Sequence, residues 1–153
     1  LEREAQLWAD DCKMIPSPLY ERNGAGENVF IVYAPDHVEE KLNKAPAESI
    51  QSWWSEVSRN YKNNPKNKMT LQVMMNEVQH FLQMAWGKTD KIGCGMRKAC
   101  GVTGASIFVV CRYSNPADKP NTLIYELGEP CNAGGGCSQG SCDSQDGLCQ
   151  RKV

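Results

Sequence analysis

Hydrophobic residues recur at intervals of three or four positions in three stretches of the chain, and this spacing predicts three helices. The first covers residues 1–12, the second residues 47–61 and the third residues 71–86. The apolar face of the second helix is strongly aromatic. The repeating positions are Leu1, Ala5, Trp8 and Cys12; then Ala47, Ile50, Trp53, Trp54, Val57 and Tyr61; then Leu71, Met74, Met75, Val78, Leu82, Ala85 and Trp86.

After Gly87 the apolar runs become short. Residues 91–96 and 107–113 flank a glycine-rich link, which predicts an antiparallel strand pair, and residues 122–127 are predicted as a third strand. Residues 13–46 are rich in proline, glycine and asparagine around one apolar run, and no element is assigned to them. Helices followed by strands, without regular alternation, predict an α+β domain.

Composition narrows the class of protein. The 153 residues are 41% hydrophobic and 23% charged, as expected for one globular domain. No apolar run reaches the roughly 18 residues of a membrane span, so none is predicted. A net charge of −1 disfavours a nucleic-acid partner, which normally selects a basic face.

Cysteine usage predicts secretion. The chain has eight cysteines, and four of them follow residue 130, where the composition turns to glycine and serine. An even number with a dense tail favours a disulfide framework formed in an oxidising compartment. A zinc site would need Cys-x2-Cys pairs or histidine partners, which this tail lacks. We therefore predict a domain over residues 1–128 and a disulfide-stapled extension over 129–153.

Candidate chemistry rests on few residues. His37, in a polar stretch, is predicted to be solvated in a loop or at a helix start, whereas His80 lies on the apolar face of the third helix. Glu27 and Glu56 lie in glycine-rich or apolar surroundings, where an unpaired carboxylate is costly to bury. Two carboxylates and an imidazole could form an acid/base or metal cluster, but sequence spacing does not bring them together.

Four segments carry a family resemblance. GAGENVF, SWWSEV, HFLQMAWGKTDKIGCG and VVCRYSNPADKPN follow one another in the order seen in the CAP superfamily of cysteine-rich secretory, antigen 5 and pathogenesis-related 1 proteins. The sequence resembles this family over residues 1–130, and within it the Ancylostoma secreted proteins. The resemblance implies a three-layer α-β-α sandwich with a small antiparallel sheet. It also implies that the family's first helix precedes Leu1.

The family's cleft holds two histidines and two glutamates that can bind a divalent cation. Glu27, Glu56 and His80 correspond to three of these, and the remaining histidine falls on Pro16, which has no lone pair for a metal and no titratable proton. We therefore predict no catalytic residue and no cofactor, and the alternative is a weak divalent-cation site formed by the three remaining residues.

The resemblance also assigns roles to the eight cysteines. It implies sandwich disulfides from Cys12, Cys94, Cys100 and Cys111, and tail disulfides from Cys131, Cys137, Cys142 and Cys149. At helical spacing, large apolar residues are more often core than ligand contacts. We expect core positions for Trp8, Trp53, Trp54, Trp86, Met74 and Met75.

The leading functional hypothesis is a secreted, non-enzymatic effector that binds a host cell-surface protein. The family resemblance implies a parasite effector whose partners are integrins of platelets or leukocytes. We expect a monomer or weak dimer. The chain has no Arg-Gly-Asp or Lys-Gly-Asp tripeptide, so an integrin contact would use another surface. One alternative is a sterol or fatty-acid carrier that uses the apolar loop 30–35 and the methionines. A further alternative is a metal-assisted hydrolase that uses Glu27, Glu56 and His80.

Overall fold

The computed structural model describes residues 1–62, 64–137 and 140–150. The helices are α1 (Glu2–Asp10), α2 (Val38–Asn60), α3 (Leu71–Met74) and α4 (Gln79–Ala85), with 3₁₀ turns at Leu19–Glu21 and Cys131–Ala133. The strands are β1 (Gly26–Tyr33), β2 (Ile92–Cys100), β3 (Ser106–Tyr113), β4 (Ser141–Cys142) and β5 (Cys149–Gln150).

A three-stranded antiparallel sheet forms the middle layer, in the order β1-β3-β2. Successive side chains of a strand point to opposite faces. On the central strand β3, Phe108 and Val110 pack with α1, whereas Ile107 and Val109 pack with Trp53 of α2. The predicted α-β-α sandwich and its strand pair are therefore confirmed.

A second core lies beside the sandwich. Residues from α3, α4 and the segments around them bury one another there: Met69, Val73, Val78, Phe81, Leu82, Trp86 and Ile124. Ile124 is 1% exposed, yet it does not belong to a strand. The predicted strand at 122–127 is wrong, because this segment makes only an isolated bridge between Lys68 and Leu123. The third strand is β1, in the region to which no element was assigned.

Two helix predictions also differ from the structure. The helix expected from residue 47 begins at Val38. The apolar spacing did not reveal this start, because the first turns of the helix are mostly polar and Pro46 lies inside it. The helix expected over 71–86 is divided into α3 and α4, with Glu77 between them at a φ of 54°. His37 is exposed and directly precedes α2, in line with its predicted place at a helix start.

All eight cysteines form disulfides. Cys12 pairs with Cys100 and Cys94 with Cys111 in the sandwich, and Cys131 pairs with Cys142 and Cys137 with Cys149 in the tail. The expected division into two sets of four is confirmed. Three tail sulfurs lie within 4.8 Å of one another, but disulfide sulfurs offer no thiolate to a metal.

The expected aromatic core is confirmed in part. Trp8, Trp53 and Trp86 are buried, whereas Trp54 is 49% exposed and Met75 is 80% exposed, so the core prediction is wrong for those two. Adjacent residues on a helix point about 100° apart, so Trp53 and Trp54 cannot both face the sheet. Trp54 instead makes an edge contact with Phe81, with ring centroids 5.2 Å apart. Met74 is partly buried against the second core.

None of the helices that the structure describes is both long enough and apolar enough to cross a bilayer.

Candidate functional site

An open cleft of about 710 Å³ lies where the loop after α1, the start of β1, α4 and the loop after β3 meet. Pro16, Glu27 and His80 all line it, which brings together three of the four residues singled out from the sequence. Glu56 is not part of the wall and reaches the cleft only through its contact with His80. The remaining lining residues are Leu19, Arg22, Gly24, Ala25, Gly26, Asn28, Met74, Gln79, Leu82, Gln83, Pro116, Ala117 and Asp118.

Glu27 extends from β1, and both of its carboxylate oxygens are occupied by protein groups. The Ser17 backbone N–H donates to Oε1 at 2.7 Å, and the Ser17 hydroxyl donates to Oε2 at 2.6 Å. Arg112 of β3 donates from Nε to Oε2 at 3.3 Å, and Arg22 lies 3.5 Å from Oε1. The Glu27 side chain is 0% exposed, so the two guanidinium groups balance a fully buried charge.

The same arginines fix the loop that carries Pro16. Arg22 donates from Nε to the Ser17 carbonyl oxygen at 2.9 Å, and Arg112 donates from Nη1 to the Glu21 carbonyl oxygen at 3.1 Å. Arg112 also donates from Nη2 to the Ser17 hydroxyl at 3.2 Å. We call Ser17, Arg22, Glu27 and Arg112 the buried ion cluster. Sequence reasoning did not find its serine or its arginines, although a charged residue at position 112 inside an apolar run was a usable signal.

His80 and Glu56 form a separate pair. Glu56 Oε1 lies 2.6 Å from His80 Nδ1, and Glu56 Oε2 accepts a hydrogen bond from the Phe81 N–H at 3.0 Å. The imidazole stacks on Trp53, with centroids 6.1 Å apart and planes 16° apart. Nε2 of His80 makes no hydrogen bond with any residue that the structure describes. Glu56 therefore orients His80 through one nitrogen and leaves the other uncommitted.

Asn28 connects the sheet to the backbone of α4. It is 2% exposed, and its Nδ2 donates to the His80 carbonyl oxygen at 3.1 Å and lies 3.2 Å from the Tyr113 hydroxyl. Burial raises the pKa of Tyr113 to about 12, although its hydrogen bond with Asn28 acts in the opposite direction. The neutral phenol is thus the form that the folded protein stabilises.

The raised pKa of Tyr113 predicts how the stability of the fold changes in alkaline solution. Because its folded pKa lies above the usual value near 10, the unfolded state loses this proton first, and stability should fall as pH rises from about 10 to 12. Ultraviolet titration of the phenolates should show one tyrosine ionising near pH 12 that is missing in Tyr113→Phe. Burial also raises the pKa of Tyr61, so the variant keeps that tyrosine, and only an unchanged number of tyrosines ionising near pH 12 would contradict the prediction.

The four residues at the family's cation-binding positions do not form the cation site that the resemblance implies. Pro16 offers no ligand atom, Glu27 is occupied by Ser17 and faces two arginines that would repel a cation, and Glu56 is bound by His80 and Phe81. Within the described ranges, Glu27, Glu56 and His80 do not come within 4.8 Å of one another as a group of three. The structure therefore brings Glu56 and His80 together and holds Glu27 in a different network.

A smaller cavity bears on the lipid-carrier hypothesis. It measures about 220 Å³ and lies between α2 and the sheet, next to Ile50, Met96 and Val109. Small-molecule sites commonly measure about 300–1,000 Å³. Residues 30–33, which were expected to form part of an apolar loop, belong to β1 and do not line this cavity. The lipid carrier and the metal-assisted hydrolase both stay predictions.

Comparison with known proteins decides the family. Residues 1–113 match the cysteine-rich secretory protein family, CAP. The chain belongs to this family. Over 133 residues it is 32% identical to the Ancylostoma secreted protein of Ancylostoma caninum, an alignment that covers 84% of this chain and 29% of that CAP protein. The chain thus spans less than a third of that relative's length.

Two solved CAP structures are similar over almost the whole chain. BmVAL-1 is 42% identical with a TM-score of 0.91, covering 100% of this chain and 74% of that one. The hookworm platelet inhibitor is 25% identical with a TM-score of 0.65, covering 97% and 70% respectively. The resemblance to the CAP superfamily and to the Ancylostoma secreted proteins is therefore confirmed.

Proposed function

We propose that this chain is a secreted effector that binds a host cell-surface protein, and that it does so without catalysis and without a metal or other cofactor. The buried ion cluster carries the proposal. The glutamate that would serve as an acid, base or ligand in the cleft is instead neutralised by Arg22 and Arg112 and hydrogen-bonded to Ser17. A carboxylate held in this way stabilises the cleft and its rim.

The rim supplies side chains suited to binding a protein. Ile15, Leu19 and Tyr20, which we call the cleft rim, are 57%, 79% and 82% exposed. Leu19 also lines the cleft, and the segment that follows Ser17 is held by the buried ion cluster. Rigid exposed aromatic and aliphatic residues are typical anchors of protein interfaces, where tyrosine in particular is enriched. The cleft rim therefore favours a protein partner.

We infer that the partner is an integrin of platelets or leukocytes. The structural similarity to the hookworm platelet inhibitor supports a target on platelets, and the four disulfides suit an extracellular protein. We further propose that the protein acts as a monomer or weak dimer. Because the sequence lacks Arg-Gly-Asp and Lys-Gly-Asp, the contact is assigned to the cleft rim.

An aggregation assay on washed platelets, paired with an adhesion assay on leukocytes, tests the proposal. The purified protein should inhibit at micromolar concentration, and Leu19→Ala/Tyr20→Ala should lower its potency by about tenfold or more, since truncating two anchors typically removes this much affinity. Leu127→Ala/Tyr33→Ala is the matched control, because it truncates the same residue types at positions 59% and 70% exposed outside the cleft rim.

Three outcomes would contradict the proposal. Wild-type protein without effect in both assays would exclude integrins, and equal losses in the two double variants would exclude the cleft rim. To test the cofactor, the protein is stripped with a chelator and dialysed into assay buffer before use, so that the integrins keep their own cations. Potency should be unchanged, and a loss restored by zinc would show that a metal is required.

A further inference from the structure

A second cleft shares no lining residue with the first and has no role in the proposed function. It measures about 670 Å³, within the range of ligand sites, and lies between the end of α2 and the start of α3. Arg59 and Lys62 supply positive charge to its wall, and none of the described residues that line it carries a carboxylate. We propose that this polar cleft binds a segment of a sulfated polysaccharide.

The local charge differs from that of the whole chain. Residues 57–76 contain four cations, Arg59, Lys62, Lys66 and Lys68, and no aspartate or glutamate, although the protein has a net charge of −1. None of the four makes an ion pair with a residue in the described ranges. Two of the four, Arg59 and Lys62, line the cleft itself. Uncompensated charge in a concave surface attracts anions more strongly than the same charge on a convex one.

Hydrogen bonds to neighbouring residues fix several side chains in the walls of the polar cleft. Asn60 Nδ2 donates to the Glu77 carbonyl oxygen at 3.0 Å, and Asn64 Nδ2 donates to the Lys68 carbonyl oxygen at 2.8 Å. Arg59 is anchored through hydrogen bonds to Ser55 of the preceding turn, contacts that leave its charge unpaired. The cations therefore sit on a largely preformed frame, which reduces the entropy lost when a ligand binds.

Two further amides point to a saccharide. Gln72 and Asn76 line the polar cleft, and neither side chain hydrogen-bonds to a residue that the structure describes. An amide both donates and accepts, as sugar hydroxyls require, while guanidinium and ammonium groups bind sulfate oxygens. Val73 is the one apolar residue among the described residues of the wall, which disfavours an acidic peptide with hydrophobic anchors. The concave shape disfavours a membrane surface.

Binding of a sulfated heparin hexasaccharide, measured by surface plasmon resonance near physiological salt, tests the proposal. Arg59→Gln/Lys62→Gln should weaken binding by about tenfold or more, since the loss of even one charge-assisted hydrogen bond has an effect of about tenfold. The matched control is Lys88→Gln/Lys91→Gln, which removes the same charge at two exposed positions outside the polar cleft and should change affinity by about threefold or less.

A variant that leaves the net charge unchanged distinguishes specific binding in the polar cleft from nonspecific electrostatic attraction. Gln72→Ala/Asn76→Ala leaves the net charge unchanged and should still weaken binding by about threefold to tenfold. Circular dichroism checks that each variant is folded. Equal losses in the two charge variants, or no loss in the amide variant, would overturn the proposal.

Further binding measurements with other ligands identify the ligand class. Chemically desulfated hexasaccharide, inorganic sulfate at matched concentration, phosphatidylserine vesicles and an oligoglutamate peptide should all bind or compete at least about tenfold more weakly than the sulfated hexasaccharide. Equal binding of any of them would overturn a sulfated-polysaccharide site. The platelet assay uses the cleft rim, so either proposal can fail without the other.

Discussion

Glu27→Gln is expected to lower the free energy of unfolding by about 3–5 kcal/mol, as is typical when one partner of a buried ion pair is removed. The Glu27 side chain is 0% exposed and that of Arg112 is 4% exposed, so the remaining guanidinium charge would stay buried. The new amide group would also face the N–H and O–H of Ser17, which need acceptors at both oxygens. Urea denaturation followed by tryptophan fluorescence measures the change.

Glu4→Gln is the matched control. Glu4 lies 3.8 Å from the same guanidinium of Arg112, but its side chain is 38% exposed, so water screens the interaction. This variant should cost less than about 1 kcal/mol. If the two substitutions had similar effects, burial would not be what makes Glu27 important, and the ion cluster would lose its assigned role.

The buried ion cluster joins fold and function. Ser17 and Glu21 lie on either side of Leu19 and Tyr20, and their backbone carbonyls accept hydrogen bonds from arginines of the cluster. A loop tethered at two points presents its exposed side chains in a fixed geometry, which lowers the entropic penalty of binding. The charge at Glu27 is thereby used to position a binding surface.

The hydrophobic pattern predicted some strands of the sheet correctly and assigned a strand to one segment that is not a strand. β3 was predicted almost to its bounds because it is an almost continuous apolar run, as expected of a central strand buried on both faces. β2 was predicted only over its first part, because its later residues up to Cys100 are mostly polar and exposed. The segment 122–127 has a similar composition, yet only Ile124 is in the core, and Leu123 and Tyr125 are 37% and 38% exposed. Composition alone could not reveal that this segment has no strand partner beyond the bridge to Lys68.

The candidate site was accessible from the sequence only in part. The family resemblance placed Pro16, Glu27, Glu56 and His80 at one cleft. The structure has three of them on its wall, whereas Glu56 lies behind His80. The contacts of Glu27 required tertiary structure, because Ser17 and Arg112 are 95 positions apart in the chain. Even so, an arginine inside a buried strand requires a buried counter-charge, and a glutamate in glycine-rich surroundings is a reasonable partner.

Removing the Cys12–Cys100 disulfide should destabilise the protein by about 4–5 kcal/mol, whereas removing Cys94–Cys111 should cost about 3 kcal/mol. The first bond joins residues 88 positions apart and the second residues 17 apart, so the first restricts the unfolded chain more strongly. Cys94 and Cys111 also face each other in the ladder of β2 and β3, which keeps them close without the bond. Guanidinium denaturation of Cys12→Ala/Cys100→Ala and Cys94→Ala/Cys111→Ala measures both.

The informative result is which variant loses more stability. Both variants replace two cysteines with two alanines, so the difference between them reflects the position of the disulfide. A larger loss for Cys94–Cys111 would mean that contacts inside the folded sheet outweigh loop entropy. The expected order has a structural consequence, because Cys12 lies just after α1 and Cys100 ends β2. The long-range bond therefore ties the beginning of the loop whose later residues form the cleft rim, while the buried ion cluster holds that loop farther along. Because these two attachments lie on opposite sides of Ile15, loss of either should loosen the same binding surface.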